Sequence, residues 1–319
     1  RKELSPDLDL PSEPALIPLG EHWFFYSPKS PIALRRLGPT QRNWPGSPNN
    51  NHIVDRNHIF DPEMFFQLFG PPLTELLADT LRAKRALLGG ERCFRWIFAE
   101  NDFVPGLVVD VYVAEHSSAL AVVQIQSAPT EWFWPALERI LKAAWVQAGQ
   151  VDLSPEISFY LRRNSALRKA EGLSVEAPVK RPGEEAPADP AAPVAQVISW
   201  NGLRWWMTPG GGQKTGSYLD QKENHLKAVA WAKRLSARRA WDLFSFEGGF
   251  SLHLAKAGLE VSAIEQSSSA LSALGRNIEL NSPLPGQVHA IQSDAFDFLK
   301  QQAQNQTQID LIVLDPPAF

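Results

Sequence analysis

The C-terminal part of the chain repeats a pattern of strand, turn and helix, and this pattern limits the fold more than any other feature. Apolar segments predict four strands, at residues 240–246, 261–265, 288–292 and 309–314. Amphipathic segments predict three helices that alternate with these strands, at residues 250–257, 267–280 and 295–302. Strands joined by helical crossovers lie parallel in a sheet that is covered on both faces. We therefore predict a doubly wound, Rossmann-like α/β sheet here.

Composition divides the remaining chain. Residues 176–195 combine prolines with alanines and charged residues, which predicts a linker because such a segment cannot bury a core. Residues 71–175 mix strand and helix patterns and predict a central α+β domain, while residues 1–70 contain short β-prone segments and predict a small β domain. The α/β sheet then belongs to a domain of residues 196–319.

Two amphipathic helices are predicted in the central domain, at residues 73–88 and 130–147. Trp132, Trp134 and Trp145 belong to the second segment, and we expect all three to pack in a core rather than to stack on bases.

The overall composition excludes several classes of protein. The chain has 319 residues, of which 44% are hydrophobic and 21% charged, as in soluble globular proteins. Its single cysteine, Cys93, excludes a disulfide framework within the chain and a zinc site built on paired cysteines. Seven scattered histidines show no metal-ligand spacing, and no segment is apolar enough to span a membrane. We expect a cytoplasmic protein without a metal centre and without a membrane partner.

The residues at the carboxyl ends of the four predicted strands indicate the kind of ligand. They are the loop 244–250 with its two glycines, then Glu265, Asp294 and Asp315. Ligands of open α/β sheets bind at these carboxyl ends. The loop lacks the G-x-G-x-x-G pattern that binds a pyrophosphate. Glu265 is placed to accept hydrogen bonds from ribose hydroxyls, and Asp294 is placed to accept one from an adenine amino group. These positions favour S-adenosylmethionine as the ligand.

Two further segments flank this region. Residues 315–317, Asp-Pro-Pro, predict a rigid turn that lacks two N–H donors, so that its carbonyl groups face a base on which Phe319 stacks. The alternative is a turn that only closes a core strand. The glycine-rich residues 210–216, followed by an amphipathic segment at 220–231, favour a flap and helix over the sheet, with a plain loop as the alternative.

These motifs together resemble the RlmI-like family, the large-subunit ribosomal RNA cytosine-5 methyltransferases that carry a PUA domain. The family joins GG-x-KTG-x-x-LDQ, F-S-Y-x-GGF and DPP-x-F motifs, which are matched at residues 211–221, 244–250 and 315–319. Residues 105–110 resemble its PGL-x-x-D hairpin, and residues 26–28 resemble the end of its PUA barrel. The resemblance implies that residues 1–70 form a partial PUA-like RNA-binding domain.

The resemblance also implies an enzyme, an S-adenosylmethionine-dependent methyltransferase, and assigns its site. The implied cofactor-binding residues are Lys214, Asp220, Gln221, Asp242, Phe244, Ser245, Phe246, Gly248, Gly249, Glu265, Asp294 and Asp315. The implied catalytic residues are Asp315, Pro316 and Phe319. Phe246 and Glu247 replace the Tyr and Thr common in the family, which removes hydroxyl contacts, and Ala318 replaces a common Lys.

The chemistry of cytosine C5 requires a residue that this sequence does not place. A thiolate must attack C6 to make C5 nucleophilic, and the family places that cysteine beyond the DPP-x-F motif. We expect Cys93 to be a buried structural residue, and we expect the nucleophilic cysteine and further strands on additional chain beyond residue 319. Direct displacement on a base nitrogen, which needs no thiolate, is the alternative.

RNA binding requires local positive charge on a chain whose formal net charge is −4. The best candidate is the basic cluster formed by Arg162, Arg163, Arg168 and Lys169. We expect large-subunit ribosomal RNA as the partner, and the sequence leaves a homodimer open. Three functions compete: cytosine C5 methylation, methylation of a base nitrogen or small molecule, and an inactive RNA-binding protein on the same fold.

Overall fold

The computed structural model describes residues 12–19, 22–30, 32, 34–38, 61–114, 119–149, 153–163, 165–175, 195–209 and 217–316. It contains two compact units, Arg1–Val179 and Lys180–Phe319. Among the helices in these described ranges, none combines the length and the apolar character that a membrane crossing requires.

The first unit holds two sheets and four helices among its described residues. In chain order they are β1 (Ala15–Leu19), β2 (His22–Tyr26), β3 (Leu34–Leu37), α1 (Pro62–Leu87), β4 (Cys93–Phe98), β5 (Leu107–Val113), β6 (Ala119–Ile125), α2 (Ala128–Trp132), α3 (Trp134–Gln147), β7 (Ile157–Arg162) and α4 (Leu167–Ala170). Strands β1, β2 and β3 form an antiparallel sheet. The second sheet has the order β4-β5-β6-β7 and is antiparallel except for the parallel pair β6 and β7.

Both sheets contribute to one hydrophobic core with helices α1 and α3. Phe65 of α1 stacks on Phe133 at a ring-centroid distance of 4.6 Å, and Phe25 of β2 stacks on Phe133 at 5.8 Å. The predicted boundary between residues 70 and 71 falls inside α1, so the two stretches that it separates share a helix and a core.

Helix α1 is longer than the sequence predicts. It begins at Pro62, capped by the Asp61 carboxylate, which accepts from Glu63 N at 2.9 Å, and it continues through Pro71 and Pro72. A proline inside a helix costs about 3 kcal/mol, which is why the predicted helix starts after the prolines. Phe69, on the same face as Leu73, is fully buried like that leucine. Burial of such side chains, each contributing about 1.5–3 kcal/mol, offsets the cost.

The predicted helix at residues 130–147 is two helices, because the chain breaks at Phe133 between α2 and α3. The break buries Phe133 completely and turns Trp132 outward, where 47% of it is exposed. The prediction that Trp132 packs in the core is therefore wrong. Trp134 and Trp145 are buried as predicted, and so is Cys93.

The second unit follows the predicted alternation. Its elements are β8 (Gln196–Trp200), β9 (Leu203–Met207), α5 (Lys222–Arg234), β10 (Arg239–Leu243), α6 (Gly249–Lys256), β11 (Glu260–Glu265), α7 (Ser268–Asn281), β12 (Gln287–Gln292), α8 (Ala295–Gln304) and β13 (Leu311–Leu314). Strands β8 and β9 form an antiparallel hairpin that the sequence patterns did not predict. The four parallel strands have the order β12-β11-β10-β13. The predicted Rossmann-like sheet is confirmed.

The strand order reverses at β10. From β10 the chain proceeds outward to β11 and β12, and then returns to the other side of β10 to form β13. The crevice of a doubly wound sheet opens at such a reversal, beyond the carboxyl ends of the strands. This places the candidate site beyond Leu243 and Leu314.

Candidate functional site

The loop between β10 and α6 has a strained backbone. Phe244, Phe246 and Gly248 have φ values of 63°, 50° and 90°, in the left-handed region. Such conformations cost about 1–3 kcal/mol at a non-glycine residue and persist only where the surroundings impose them. They end the strand at Leu243, three residues earlier than predicted. Ser245 N donates to Ile264 O at 3.0 Å and Gly248 N donates to Ser245 O at 2.8 Å, which fixes the loop.

Glu265, the last residue of β11, lies directly beside this loop. One carboxylate oxygen, Oε2, accepts from Phe246 N at 3.0 Å, and the other, Oε1, accepts from Ser267 N at 2.8 Å. Backbone donors therefore hold both oxygens in place. A carboxylate oxygen has more than one acceptor site, so this one is oriented and still able to accept from a ligand hydroxyl.

Asp242 lies beneath the loop rather than on its surface, since only 1% of the residue is exposed. Its Oδ2 accepts from Ser251 N at 3.0 Å and from Ser251 Oγ at 2.5 Å. Burial, together with the charges of Asp315 and Glu265, raises the pKa of Asp242 to about 7, although the bonds from Ser251 lower it. Asp242 thus anchors the start of α6 and is not in a position to contact a ligand directly.

Asp294 caps helix α8. Its Oδ1 accepts from Phe296 N at 2.8 Å and from Asp297 N at 3.1 Å. Phe296, which the sequence reading missed, is 59% exposed and lies 6.3 Å from the Phe244 ring, edge to face. A signal in the sequence could have identified Phe296. It is an aromatic residue in the first turn of a helix that directly follows a strand end.

Asp315 is exposed at the end of β13 and joins a chain of polar side chains. Gln221 Nε2 donates to Asp315 Oδ2 at 3.2 Å, and Asn224 Nδ2 donates to Gln221 Oε1 at 2.7 Å. Tyr218 packs edge to face on Phe246 at 5.2 Å. The structure therefore brings the segment before α5 to both the loop and Asp315, and Tyr218 and Asn224 are members that the motifs did not identify.

The remaining predicted site residues differ in what the structure says of them. Asp220 is exposed in a short 3-10 turn, and Pro316 is exposed after Asp315. Lys214 and Phe319 lie outside the described residues. Ser245 is buried, and its Oγ accepts and donates no hydrogen bond among the described residues.

The basic cluster predicted to bind RNA is mostly directed inward. Arg168 is 1% exposed and donates to Ile125 O, Ser174 O and Glu131. Arg162 is 5% exposed, Arg163 pairs with Glu131 at 2.9 Å, and only Lys169 is fully at the surface. The assignment of Arg162 and Arg168 to RNA contact needs correction, because a buried guanidinium cannot reach a phosphate.

Comparison with known proteins agrees with the motifs. A family model described as Conserved hypothetical protein 95 matches residues 227–318. The ribosomal RNA large subunit methyltransferase I of Aeromonas salmonicida is 34% identical over 242 residues, 76% of this chain and 54% of that protein. The protein of the same name from Photobacterium profundum is 29% identical over 295 residues, 92% of this chain and 63% of that protein. The chain thus spans between half and two thirds of the length of these relatives.

Solved structures show the same fold. A protein from Streptococcus mutans described as a SAM-dependent methyltransferase superposes with a TM-score of 0.62 at 16% identity, over 98% of this chain and 70% of that one. A structure described as a methyltransferase complexed with SAH gives a TM-score of 0.62 at 18% identity, with the same coverage. The resemblance read from the motifs is confirmed: the chain is a homologue of the large-subunit ribosomal RNA methyltransferase I proteins.

Proposed function

We propose that the crevice beyond β10 binds S-adenosylmethionine and that the chain forms part of an RNA methyltransferase acting on large-subunit ribosomal RNA. The observation that carries the proposal is Glu265, a carboxylate held by two backbone N–H groups beside a strained glycine loop at the strand-order reversal. The names of the homologous proteins support the substrate class.

The donor set of the crevice fits this cofactor. Asp242, Glu265 and Asp315 are close enough for their charges to raise the pKa of Asp242. A negative crevice disfavours a pyrophosphate and favours a ligand with hydroxyl donors, amino donors and a positive charge. Glu265 would accept hydrogen bonds from the ribose hydroxyls, and Asp294 would accept one from the adenine amino group. Phe296 would cover the adenine edge. When bound, S-adenosylmethionine supplies an electrophilic methyl group on a positively charged sulfur.

Asp315 is the proposed contact to the target base. Gln221 and Asn224 orient its carboxylate, which would accept from an exocyclic amino group such as that of cytosine. Methylation at C5 also needs a thiolate that adds to C6 and leaves again once C5 has lost its proton. The one cysteine of the chain, Cys93, is fully buried in β4 of the first unit. A fully buried thiol is not available to a base, so Cys93 is not assigned the role of that thiolate.

Calorimetric titration of the chain with S-adenosylmethionine tests the cofactor site. We expect Glu265→Gln to weaken binding about tenfold or more, which corresponds to about 1.4 kcal/mol. Glu260→Gln is the matched control, because Glu260 begins the same strand at its other end and pairs with His289 on the surface. Absence of binding by the unmodified chain, or equal losses in both variants, would contradict the proposal.

The methylated atom is identified separately. Ribosomal RNA is incubated with tritiated S-adenosylmethionine and the full-length protein, and the labelled nucleoside is then identified. 5-Methylcytidine supports the cytosine C5 reaction. A base methylated on nitrogen supports the direct displacement, and cofactor binding without transfer to any RNA supports the non-enzymatic alternative.

A further inference from the structure

We infer that Asn277 is a positioning residue for the glycine loop 244–249, an inference that rests on the proposed function of that loop. Asn277 lies on α7 and is completely buried. Its Nδ2 donates to Glu247 O in the loop at 3.1 Å, and its Oδ1 accepts from Trp206 N of β9 at 2.9 Å. One amide group therefore connects the loop to the hairpin, two parts of the unit that are 41 positions apart in sequence (247 − 206).

Helix α7 supports the loop at two positions that lie one turn apart. Leu274 lies one turn before Asn277 and is fully buried. A Cβ atom placed on Gly248 would lie 2.3 Å from Leu274 Cδ1, so the helix side chain presses directly on the glycine. Leu274 thus supports residue 248 from below, while Asn277 holds the carbonyl group of residue 247.

The contact requires an amide side chain. The group must donate to a carbonyl oxygen on one side and accept from an N–H group on the other, and both bonds are partly buried around the fully buried Asn277 side chain. An aspartate of the same shape has only acceptors when ionised, and would direct an oxygen at the Glu247 carbonyl. Leaving this partly buried carbonyl unpaired, or opposing it with a carboxylate, is unfavourable.

The anchored carbonyl is one peptide away from the group that fixes Glu265. Phe246 N donates to Glu265 Oε2, and Phe246 itself has a φ of 50°. A left-handed non-glycine residue relaxes when a neighbouring restraint is removed. Loss of the Asn277 bond would therefore let residues 246–248 relax, and Glu265 would lose the donor that orients it towards the ribose. Asn277 acts through the loop and does not itself contact the cofactor.

Asn281 provides a matched control on the same helix, one turn further along. Its Oδ1 accepts from Arg204 N at 2.9 Å, and its Nδ2 donates to Arg204 O at 2.7 Å and to Asn277 O at 2.7 Å. It binds the same strand as Asn277, and none of its hydrogen bonds among the described residues reaches the loop. A substitution at Asn281 therefore loosens the hairpin and leaves the loop anchored.

The test compares Asn277→Asp with Asn281→Asp in two measurements. Hydrogen exchange of the cofactor-free chain reports on the protected amides of Ser245, Phe246 and Gly248, and calorimetry reports the Kd for S-adenosylmethionine. We expect Asn277→Asp to accelerate loop exchange and to raise Kd about tenfold. Asn281→Asp should lower Tm while both loop exchange and Kd stay at the values of the unmodified chain.

Equal loop exchange and equal Kd in the two variants would overturn the inference. If Asn277→Asp does not fold, Asn277→Ser gives the same comparison, because its hydroxyl is too short to reach Glu247 O. The exchange measurement contains no cofactor, so it decides the role of Asn277 even if the unmodified chain binds no S-adenosylmethionine. Failure of the proposed function and failure of this inference are thereby distinguishable.

Discussion

The surroundings of two buried carboxylates, one in each unit, shift the pKa of those groups in opposite directions. Burial raises the pKa of Glu171, but hydrogen bonds from Arg35, Ser27 and Ser30 outweigh it, so the net pKa lies below its ordinary value. Burial acts in the same direction on Asp242, whose side-chain partner among the described residues is the neutral Ser251, and the pKa of Asp242 rises to about 7. A carboxylate with a cation and hydroxyl partners stabilises a fold. One left among other carboxylates marks a site, because strongly perturbed groups cluster where ligands bind.

Glu171 connects distant parts of the first unit. Its Oε1 accepts from Arg35 Nη2 at 2.9 Å, and its Oε2 accepts from Ser27 Oγ at 2.6 Å and from Ala128 N at 3.3 Å. Strand β3, the end of β2 and the start of α2 all meet at this side chain. The neighbouring Arg168–Glu131 pair repeats the arrangement, so Arg35 and Arg168 both stabilise the fold.

The largest expected effect is the loss of the ion pair between Glu171 and Arg35. Glu171→Ala leaves the half-buried Arg35 guanidinium without its main partner, and breaking a buried pair costs about 3 kcal/mol. Calorimetric unfolding should show a lower Tm for the first unit, and S-adenosylmethionine affinity should be unchanged. Glu138→Ala is the control, since its pair with Lys142 is exposed on α3. Similar Tm changes in both variants would contradict the prediction that the buried Glu171 pair stabilises the first unit more than an exposed pair does.

The second prediction concerns the loop above Asp242. Gly248→Ala forces an alanine into a φ of 90° and against Leu274, which we expect to cost about 2 kcal/mol and to abolish measurable S-adenosylmethionine binding. Gly258→Ala is the control, because Gly258 has a φ of 98° with open space around it. That variant should lose stability through backbone strain alone and keep its cofactor affinity, as measured by calorimetry.

The third prediction uses pH. The folded pKa of Asp242, about 7, lies above its ordinary value of 3.8, so the folded state holds a proton that the unfolded state releases. Stability from this group therefore falls as pH rises from about 4 to 7. Burial and the nearby His253 lower the pKa of His225 to about 3, so stability from His225 is lost as pH falls below 6.5. The two dependences oppose each other between about pH 4 and 6.5.

Asp242→Asn should therefore become more stable than the unmodified chain by a margin that grows as pH rises from about 4 to 7, and the difference should be smallest below about pH 4. Its stability should rise with pH up to about 6.5, because only His225 remains. His225→Phe should show the reverse, a stability that falls up to pH 7. Urea unfolding followed from pH 5 to pH 8 measures both. A pH profile unchanged by Asp242→Asn would show that this carboxyl is not the perturbed group.

Sequence patterns predicted the parallel sheet because period and strand ends are local properties. The elements from β10 to β13 each begin within two residues of the prediction, and Glu265, Asp294 and Asp315 follow their strands as expected. The left-handed residues Phe244 and Phe246 were not visible in the sequence, since aromatic residues favour strands and only the packed surroundings impose the strain. Asn277 was equally hidden, because nothing local distinguishes a bridging asparagine from an exposed one.

The basic residues show a second limit of prediction from sequence, because the sequence does not tell which cations are buried. A guanidinium on a turn has one sequence pattern whether it meets RNA or an internal carboxylate. Arg168 and Glu131 are 37 positions apart (168 − 131) and meet only in the folded unit. Charge clusters therefore predict where cations are, and the fold decides which of them face solvent.

The smallest expected effect tests whether anything of the basic cluster serves RNA. Lys169 is exposed at the end of helix α4, next to the buried Arg168. If it contacts a phosphate, Lys169→Gln should weaken RNA binding modestly and reduce the slope of log K against log salt by about 1. Tm should not change, because the ammonium group has no hydrogen-bond or ion-pair partner among the residues that the structure describes. Arg163→Gln should instead lower Tm through the loss of its ion pair with Glu131 and leave the salt slope as it is.

Filter binding of a ribosomal RNA fragment across a salt series, with Tm measured on the same samples, separates the two outcomes. A salt slope that stays constant in Lys169→Gln would mean that the whole cluster belongs to the fold.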